Sequence, residues 1–252
     1  MTEPVVSVII PAFNEEARLA STFTEIRRHF TSEGLPYEVI LVDDGSWDMT
    51  VKLAQQSTEA FAPLGALRIL RNETNRGKGY SVRRGMLAAR GKRALMTDAD
   101  LSTPLSELAN LQRFLDEGDY DLVIASRDLP GARVVTHQPW MRERLGKAFN
   151  RLVRCITGLP FYDTQCGFKL FDLSTTRELF LAQRLEGWVF DVEILFIASR
   201  WGLRVAEVPV RWSHTPGSKV HIGVQAPRVL VDLLRIRLNN AVGSYRRERI
   251  SR

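Results

Sequence analysis

The amino-acid sequence predicts an α/β protein whose mostly parallel sheet carries helices on both faces. Through the first 126 residues, short β-branched runs alternate with longer stretches of helical periodicity, an order typical of a parallel sheet. The first run, residues 5–10, is apolar at five of six positions, which indicates a strand buried on both faces. Hydrophobic residues make up 44% and charged residues 25% of the 252 positions, a globular composition that excludes a disordered chain.

The remaining elements of this half follow in order. A helix begins at residues 14–16 and repeats its apolar positions every three or four residues, at Leu19, Phe23, Ile26 and Phe30. Further strands are predicted at 38–42, 67–70, 94–97 and 120–125. The helix after the second strand is expected to be capped by Asp48 or Thr50, and a loop over 72–79 precedes the next helix. Because the carboxyl ends of parallel strands meet at one edge, we expect the ligand site there.

From residue 139 onward the pattern changes to basic amphipathic helices. One helical face over 139–156 collects apolar side chains, namely Met141, Leu145, Ala148, Phe149, Leu152 and Ile156. Basic side chains fall largely off this face: Arg142, Lys147, Arg151 and Arg154. Such a helix is typical of a membrane surface, and the alternative is a surface helix that packs its apolar side on the core. A second basic helical stretch covers residues 229–238.

Basic residues are concentrated in two segments of a chain whose formal net charge is +6. Residues 127–160 and 227–252 each carry a net +5, which leaves a net −4 on the rest. This asymmetry indicates an anionic partner such as a lipid surface, a nucleic acid or a phosphorylated substrate. We expect no nucleic-acid partner, because the sequence lacks the aromatic and recognition-helix features of such proteins.

The sequence predicts a cytoplasmic protein that contacts the cytoplasmic face of a membrane only peripherally. Its longest apolar run, residues 194–198, is far shorter than the roughly 18 residues of a membrane-spanning helix. The N-terminal residues show neither a basic start nor a cleavage signal. Cys155 and Cys166 are too few for a disulfide framework or a four-ligand zinc site, which favours a reducing compartment.

A pair of carboxylates marks the expected ligand site. Asp98 and Asp100 lie one residue apart at the end of the fourth strand, and Asp43 and Asp44 end the second. Carboxylate oxygens suit hard divalent cations such as Mg²⁺ or Mn²⁺, which keep coordination places for phosphate oxygens. We therefore expect a metal–diphosphate site, with solvated loop carboxylates as the alternative. A Walker A loop, a complete dinucleotide fingerprint and a G-x-S-x-G nucleophile elbow are absent from the sequence.

In their order and spacing, three motifs resemble the inverting glycosyltransferases of the GT-A fold, a Rossmann-like α/β architecture. They are residues 11–16 (Pro-Ala-Phe-Asn-Glu-Glu), 42–46 (Val-Asp-Asp-Gly-Ser) and 98–100 (Asp-Ala-Asp). In the second half, residues 163–171, 188–195 and 217–219 resemble the dolichyl-phosphate β-glucosyltransferases, and match the polyprenyl-phosphate mannose synthases less closely. The resemblance covers residues 5–240.

This resemblance implies a metal-dependent transfer of a hexose to a polyprenyl phosphate, with inversion at the anomeric carbon. Glucose from UDP-glucose is the expected donor group, and undecaprenyl or dolichyl phosphate the expected acceptor. A GDP-mannose-dependent mannose synthase is the alternative within the family, and a non-catalytic basic lipid-binding module is the alternative from another class. A lipid monophosphate is already an anion at neutral pH, with a second pKa of about 6, so it needs little help from a general base.

The resemblance also implies roles for individual residues. It implies that nine residues bind the nucleotide sugar: Pro11, Phe13, Glu15, Asp43, Asp44, Lys78, Asp98, Ala99 and Lys219. Among them, Asp43 would reach the uridine or ribose. Asp98 and Asp100 would hold the metal. The catalytic candidates are Arg127, Asp163 and Lys169. For Asp163, an acceptor-side role is expected, while a turn cap or an ion pair with Lys169 stays open as the alternative.

These assignments divide a single predicted domain, residues 1–252, into three parts. Residues 1–127 form the nucleotide-sugar and metal half, 128–225 the acceptor half, and 226–252 a basic helical tail. The sequence contains no internal repeat and no linker long enough to separate two domains.

Overall fold

The computed structural model describes residues 4–137, 140–215 and 222–247. The five predicted strands are present as β1 (Val6–Ala12), β2 (Tyr37–Asp43), β3 (Gly65–Arg71), β4 (Arg93–Met96) and β5 (Leu122–Ser126). The second half adds strands that the sequence analysis does not predict: β6 (Arg133–Thr136), β7 (Lys169–Asp172), β8 (Val205–Pro209) and β9 (Arg211–Ser213).

Seven strands form one sheet in the order β3-β2-β1-β4-β7-β5-β8. Neighbouring strands pair in parallel, except that β7 runs antiparallel between β4 and β5. The predicted α/β fold with a mostly parallel sheet is therefore confirmed. Because β7 lies between two strands of the first half, the segment that precedes it is brought to the edge where β4 ends. The remaining strands, β6 and β9, form a separate parallel pair.

Helices connect these strands throughout the chain. The first half contains α1 (Glu16–Glu33), α2 (Thr50–Ser57), α3 (Lys78–Ala88) and α4 (Leu108–Glu117). The second half contains α5 (Trp140–Thr157), α6 (Leu173–Ala182), α7 (Phe190–Arg200) and α8 (Ile222–Ala241). Met49 occupies the N-cap position of α2, between the two predicted candidates. Asp48 nevertheless contributes to the cap, because its Oδ1 accepts a hydrogen bond from the Thr50 N–H at 3.0 Å.

Alternate side chains of the central strands enter two apolar clusters, one on each face of the sheet. Val8 and Ile10 of β1 pack in the same cluster as Leu19 and Phe23 of α1. Ile9, between them, belongs to the cluster that contains side chains of α3, α6 and α7. Helices thus cover both faces, as predicted, and the core fixes the carboxyl ends of the strands at one edge.

Helices α5 and α8 pack against each other. Two residues of the predicted apolar face of α5, Phe149 and Ile156, are half-buried against the core. Three others stay exposed: Met141 at 57%, Leu145 at 49% and Leu152 at 40%. The packing alternative is therefore met by part of the face, while membrane contact of the rest stays a prediction. The side chain of Arg142 lies outside the described part of the chain. Within the described ranges, no helix has the length and apolar character needed to cross a membrane.

Candidate active site

A cavity of about 930 Å³ lies beyond the carboxyl ends of β1, β2, β4 and β5. This is the edge at which the strand order predicts a ligand site. Part of the wall is charged, through Asp44, Lys78, Asp98, Asp100, Arg127 and Asp191. Another part, contributed by α5 and α8, is apolar, through Leu145, Ala148, Phe149, Leu152 and Val229. The cavity is therefore suited to a molecule with both a charged and an apolar portion.

Most residues predicted to bind the nucleotide sugar line this cavity: Pro11, Phe13, Glu15, Asp44, Lys78, Asp98 and Ala99. Lys219 lies outside the described residues. The ring of Phe13 contacts that of Trp47 edge to face, with centroids 5.0 Å apart. Because Trp47 also lines the cavity and is 79% exposed, this pair offers an aromatic surface on which a planar base can stack.

Asp43 and Asp44 both follow from β2 but lie in different surroundings. Asp43 is fully buried outside the cavity wall, and Arg71 Nε lies 3.3 Å from its carboxylate. The carboxylate that lines the cavity is Asp44, and the expected contact of Asp43 with the nucleotide stays a prediction. Asp44 accepts hydrogen bonds from the backbone N–H groups of Arg76 and Gly77 at 3.0 and 2.8 Å. It thereby fixes the loop that leads into α3.

Asp98 and Asp100 follow β4, and both line the cavity. Lys78, the first residue of α3, places its Nζ 2.5 Å from Asp98 Oδ1. Burial alone would lower the pKa of Lys78, but the carboxylates of Asp98 and Asp191 outweigh this effect and raise the pKa. Burial, together with the nearby charge of Asp98, raises the pKa of Asp100. Two crowded carboxylates therefore share one lysine, which leaves Asp100 short of positive charge.

The surroundings of Asp98 fit a hard divalent cation. The backbone of Gly167 lies directly against this carboxylate, so that a Cβ at position 167 would lie 1.9 Å from Asp98 Oδ2. Among the residues that the structure describes, no three His, Cys, Asp or Glu side chains gather into a complete metal site. The protein thus offers the two carboxylates of Asp98 and Asp100, which suit Mg²⁺ or Mn²⁺ if diphosphate oxygens and water complete the coordination.

Arg127 and Asp163 form a bidentate ion pair behind the cavity wall. Arg127 follows β5 and lines the cavity, while its Nε and Nη2 donate to the two Asp163 oxygens at 2.7 and 2.8 Å. Asp163 is fully buried and also accepts from the Arg127 N–H at 3.0 Å. Burial would raise the pKa of Asp163, but Arg127 outweighs it and the pKa is lowered. Asp163 is thus paired with Arg127 rather than with Lys169, and it acts on the cavity through Arg127.

Lys169 likewise lies outside the cavity wall. It is almost fully buried, and its Nζ donates to Asp191 Oδ1 and to the Cys166 carbonyl, both at 2.6 Å. The expected catalytic role of Lys169 stays a prediction, although this position gives it no place in the cavity wall. Its partner Asp191 does line the cavity. Burial raises the pKa of Asp191, and the charges of Lys169 and Lys78 offset only part of this effect.

Several cavity residues are missing from the sequence-based assignment: Arg18, Trp47, Gln165, Trp188, Asp191, Trp212 and His214. Trp188 and Asp191 belong to residues 188–195, a segment that resembles the glucosyltransferases. This resemblance could have identified both as candidate site residues. His214 has no such signal, since it reaches the cavity only because it follows β9. Its ring lies 6.1 Å from that of Trp212, and the Arg127 guanidinium lies 5.5 Å from the Trp212 ring centroid.

Comparison with known proteins connects this site to an enzyme family. Residues 7–180 match the family described as Glycosyl transferase family 2. Dolichyl-phosphate beta-glucosyltransferase from Dictyostelium discoideum is 36% identical over 251 residues, covering 95% of this chain and 76% of that protein. The protein of the same name from Drosophila melanogaster is 38% identical over 250 residues, covering 95% and 76%. The human one is 34% identical over 254 residues, covering 96% and 78%.

Solved structures show the same fold. Glucosyl-3-phosphoglycerate synthase from Mycobacterium tuberculosis, in complex with Mn²⁺, UDP-glucose and phosphoglyceric acid, aligns with a TM-score of 0.67 at 21% identity. The alignment covers 92% of this chain and 79% of that one. A mannosyltransferase from Pyrobaculum calidifontis, in complex with GDP-Man and Mn²⁺, aligns with a TM-score of 0.62 at 20% identity, covering 95% and 65%.

The fold is that of a GT-A glycosyltransferase, as expected, and the family match confirms the expected class of enzyme. The chain belongs to glycosyl transferase family 2, where its relatives include the dolichyl-phosphate β-glucosyltransferases. The resemblance inferred from the motifs is thereby confirmed, and the alternative of a non-catalytic lipid-binding module is set aside.

Proposed function

We propose that this glycosyltransferase moves glucose from UDP-glucose to the phosphate of a polyprenyl lipid, with inversion at the anomeric carbon. The observation that carries this proposal is the cavity, which joins charged groups suited to a nucleotide diphosphate to an apolar wall suited to a prenyl chain. The names of the relatives support glucose as the sugar and dolichyl phosphate as an acceptor. Undecaprenyl phosphate presents the same reacting group and is included in the proposal.

The donor is assigned to the part of the cavity formed by the ends of β1, β2 and β4. The aromatic pair of Phe13 and Trp47 supplies a stacking surface for the base. Lys78 supplies positive charge beside Asp98, where the diphosphate would lie. The Mycobacterium tuberculosis structure, which contains UDP-glucose and Mn²⁺, supports this choice of donor for the shared fold.

We assign Mg²⁺ or Mn²⁺ binding to Asp98 and Asp100. A bound divalent cation would supply charge stabilisation to the departing diphosphate. The raised pKa of Asp100 supports this assignment, because a nearby cation would relieve the repulsion between the two carboxylates. Lys78 lies at the same carboxylate and adds a second positive charge for the leaving group.

The reaction follows from the charges that the site must bring together. An oxygen of the lipid phosphate attacks the anomeric carbon, while the bond from that carbon to the diphosphate oxygen breaks and its electron pair leaves with UDP. The attacking phosphate is an anion at neutral pH, with a second pKa of about 6, so no general base is required. We assign Arg127 to this phosphate, because the buried Asp163 holds the guanidinium in one orientation at the cavity wall.

The same proposal places the enzyme peripherally on the cytoplasmic face of a membrane. The apolar wall of the cavity continues in exposed side chains of α5 and α8, among them Met141, Leu145, Leu152, Leu234 and Leu238. Exposed apolar side chains on helices that also carry arginine and lysine are typical of interfacial helices. A polyprenyl chain lies within the membrane, so a surface of this kind would bring the cavity to the acceptor phosphate.

A transfer assay tests the proposal. The purified chain is incubated with radiolabelled UDP-glucose or GDP-mannose, with undecaprenyl or dolichyl phosphate, and with Mg²⁺, Mn²⁺ or EDTA. We expect label in the organic extract from UDP-glucose only, no label with EDTA, and a β-linked product from the α-linked donor. Incorporation from GDP-mannose alone, or transfer unaffected by EDTA, would overturn the donor or the metal assignment respectively. The Asp100→Asn variant serves as the matched inactive control.

A further inference from the structure

A second cavity, of about 340 Å³, lies on the other side of α5. We call it the basic cavity and define it by its lining: Lys147, Asn150, Arg151, Arg154 and Tyr162, together with Asp128 and with Arg127, which also lines the larger cavity. The α5 residues that line it follow each other at three- and four-residue spacing, so they share one face of the helix. Leu145, Ala148 and Leu152, which line the larger cavity, lie on a different face.

The basic cavity carries more positive charge than the chain itself balances. Arg127 is neutralised by its pair with Asp163. Lys147, Arg151 and Arg154 then stand against a single carboxylate in the lining, Asp128. Within the described residues, none of these three cations takes part in a salt bridge. Like charges at this spacing destabilise a helix, so the arrangement is costly unless an anion binds between them.

Two further contacts hold side chains of the basic cavity in place. Asn150 is buried, its Nδ2 donates to Asp128 Oδ2 at 3.1 Å, and its Oδ1 has no hydrogen-bond partner among the described residues. The Arg154 guanidinium lies 5.1 Å from the ring centroid of Tyr162, which limits its freedom. The cavity thus offers three cations for an anion and one buried acceptor for a hydroxyl or another donor.

The position of the cavity indicates where such an anion comes from. The same helix exposes Met141 and Leu152 on a face other than the one that lines the basic cavity, and α8 exposes Leu234 and Leu238. A helix with cations on one face and exposed apolar side chains on another is typical of a membrane interface, where phosphate headgroups lie next to acyl chains. A soluble phosphate would account for the cations but not for the exposed apolar face.

We propose that the basic cavity binds the phosphate headgroup of an anionic membrane lipid, separately from the polyprenyl phosphate that accepts glucose. The three α5 cations hold the phosphate, and Asn150 accepts a hydrogen bond from a headgroup hydroxyl, as in a phosphoglycerol. The proposal rests on the membrane contact of the proposed function and adds a lipid preference to it. A headgroup bound here would orient α5, whose other face lines the larger cavity, over the membrane.

The test compares three proteins on vesicles of phosphatidylcholine that contain phosphatidylglycerol or, at equal surface charge, a fatty acid. The first is the wild type, and the second carries Lys147→Gln, Arg151→Gln and Arg154→Gln. The third carries the same loss of charge at exposed positions away from α5, through Arg90→Gln, Lys92→Gln and Arg113→Gln. The melting temperature and UDP binding of each protein establish that it is folded.

We expect the wild type to prefer phosphatidylglycerol over the fatty acid, and the α5 variant to lose this preference. Partitioning onto phosphatidylglycerol vesicles should weaken on the order of 100-fold in the α5 variant and only slightly in the control variant. Two results would overturn the proposal: equal partitioning of the wild type onto both kinds of vesicle, or equal losses of partitioning in both variants. Either would show that vesicle binding is non-specific electrostatic attraction.

Two further measurements separate this site from other occupants. Glycerol 3-phosphate, titrated calorimetrically without vesicles, would bind the wild type tightly if a soluble phosphate were the ligand, and that result overturns the lipid assignment. Transfer of glucose to a short, water-soluble prenyl phosphate should be unchanged in the α5 variant. A large loss there, with vesicle binding intact, would make the cavity the acceptor site instead. If the wild type transfers no glucose yet keeps its lipid preference, the proposed function fails while this inference stands.

Discussion

Asp163 provides the sharpest test of how the site is held, because it is fully buried and binds the guanidinium of Arg127, which lines the cavity, through both carboxylate oxygens. The Asp163→Asn variant keeps the size of the side chain but leaves the guanidinium without its counter-charge. Breaking a buried ion pair costs about 3–5 kcal/mol. The side chain of Arg127 is 27% exposed, so water compensates part of the loss and we expect a value near the lower end, ~3 kcal/mol. For a domain of this size, that lowers Tm by roughly 6–12 °C.

Urea unfolding at neutral and acidic pH measures this effect. The pKa of Asp163 is lowered in the folded protein, so its contribution is present above the unfolded value of 3.8 and is lost as the pH falls below it. The difference between wild type and variant should therefore shrink in acid. Glu25→Gln, which breaks an exposed pair with Arg28, is the control and should cost no more than about 0.5 kcal/mol. If the Asp163→Asn variant is as stable as the wild type at neutral pH, the ion pair with Arg127 does not stabilise the folded protein.

Without Asp163 to orient the Arg127 guanidinium, kcat of the Asp163→Asn variant should fall about 100-fold. Binding of UDP with metal, measured calorimetrically, should stay near wild type, and a parallel loss of UDP affinity would instead place Asp163 in the donor site or the fold. Asp100→Asn should lower transfer by about 100-fold or more at unchanged Tm, and full activity that still requires metal would contradict the metal site. Gly167→Ala should weaken metal-dependent UDP binding, because its Cβ would lie 1.9 Å from Asp98 Oδ2, whereas Gly146→Ala meets no atom within 4 Å and should not. Flotation with anionic liposomes should fall on adding salt and in Leu152→Glu but not in Leu181→Glu, a leucine on α6 that is more exposed than Leu152; equal flotation of both variants would contradict membrane contact through α5.

The first half of the fold could be predicted because its signals are local. Strands β1, β2 and β4 are mostly apolar on both faces, and polar residues follow β2 and β4 directly. The resulting edge of the sheet collects most of the predicted nucleotide residues, since parallel strands bring their carboxyl ends together. Chain direction and hydrophobic pattern were therefore enough to place Asp44, Asp98 and Asp100 in one cavity.

The second half was less predictable, because its contacts join distant segments. Strand β7 has only four residues and begins with Lys169, which a pattern of hydrophobicity does not assign to a buried strand. The lysine is buried because Asp191 of α7, 22 positions away, neutralises it. Arg127 and Asp163 are 36 positions apart, and each likewise neutralises the charge of the other. No local signal reports which carboxylate will meet which cation, so the partners of Asp163 and Lys169 required the structure.

Lys78 and Arg127, two of the cations that face the cavity, differ in how firmly their counter-charges are held, and this difference suits their proposed roles. Arg127 is paired with a carboxylate that is fully buried and bound at both oxygens, so its charge stays where the fold places it. Lys78 is paired with Asp98, whose side chain is 41% exposed. A diphosphate that arrives with a divalent cation offers Lys78 a new anion and Asp98 a new cation, so this pair is able to exchange partners without leaving a buried charge alone. In the proposed reaction, the acceptor phosphate would thus meet a fixed charge at Arg127, while the donor would meet a pair that rearranges around it.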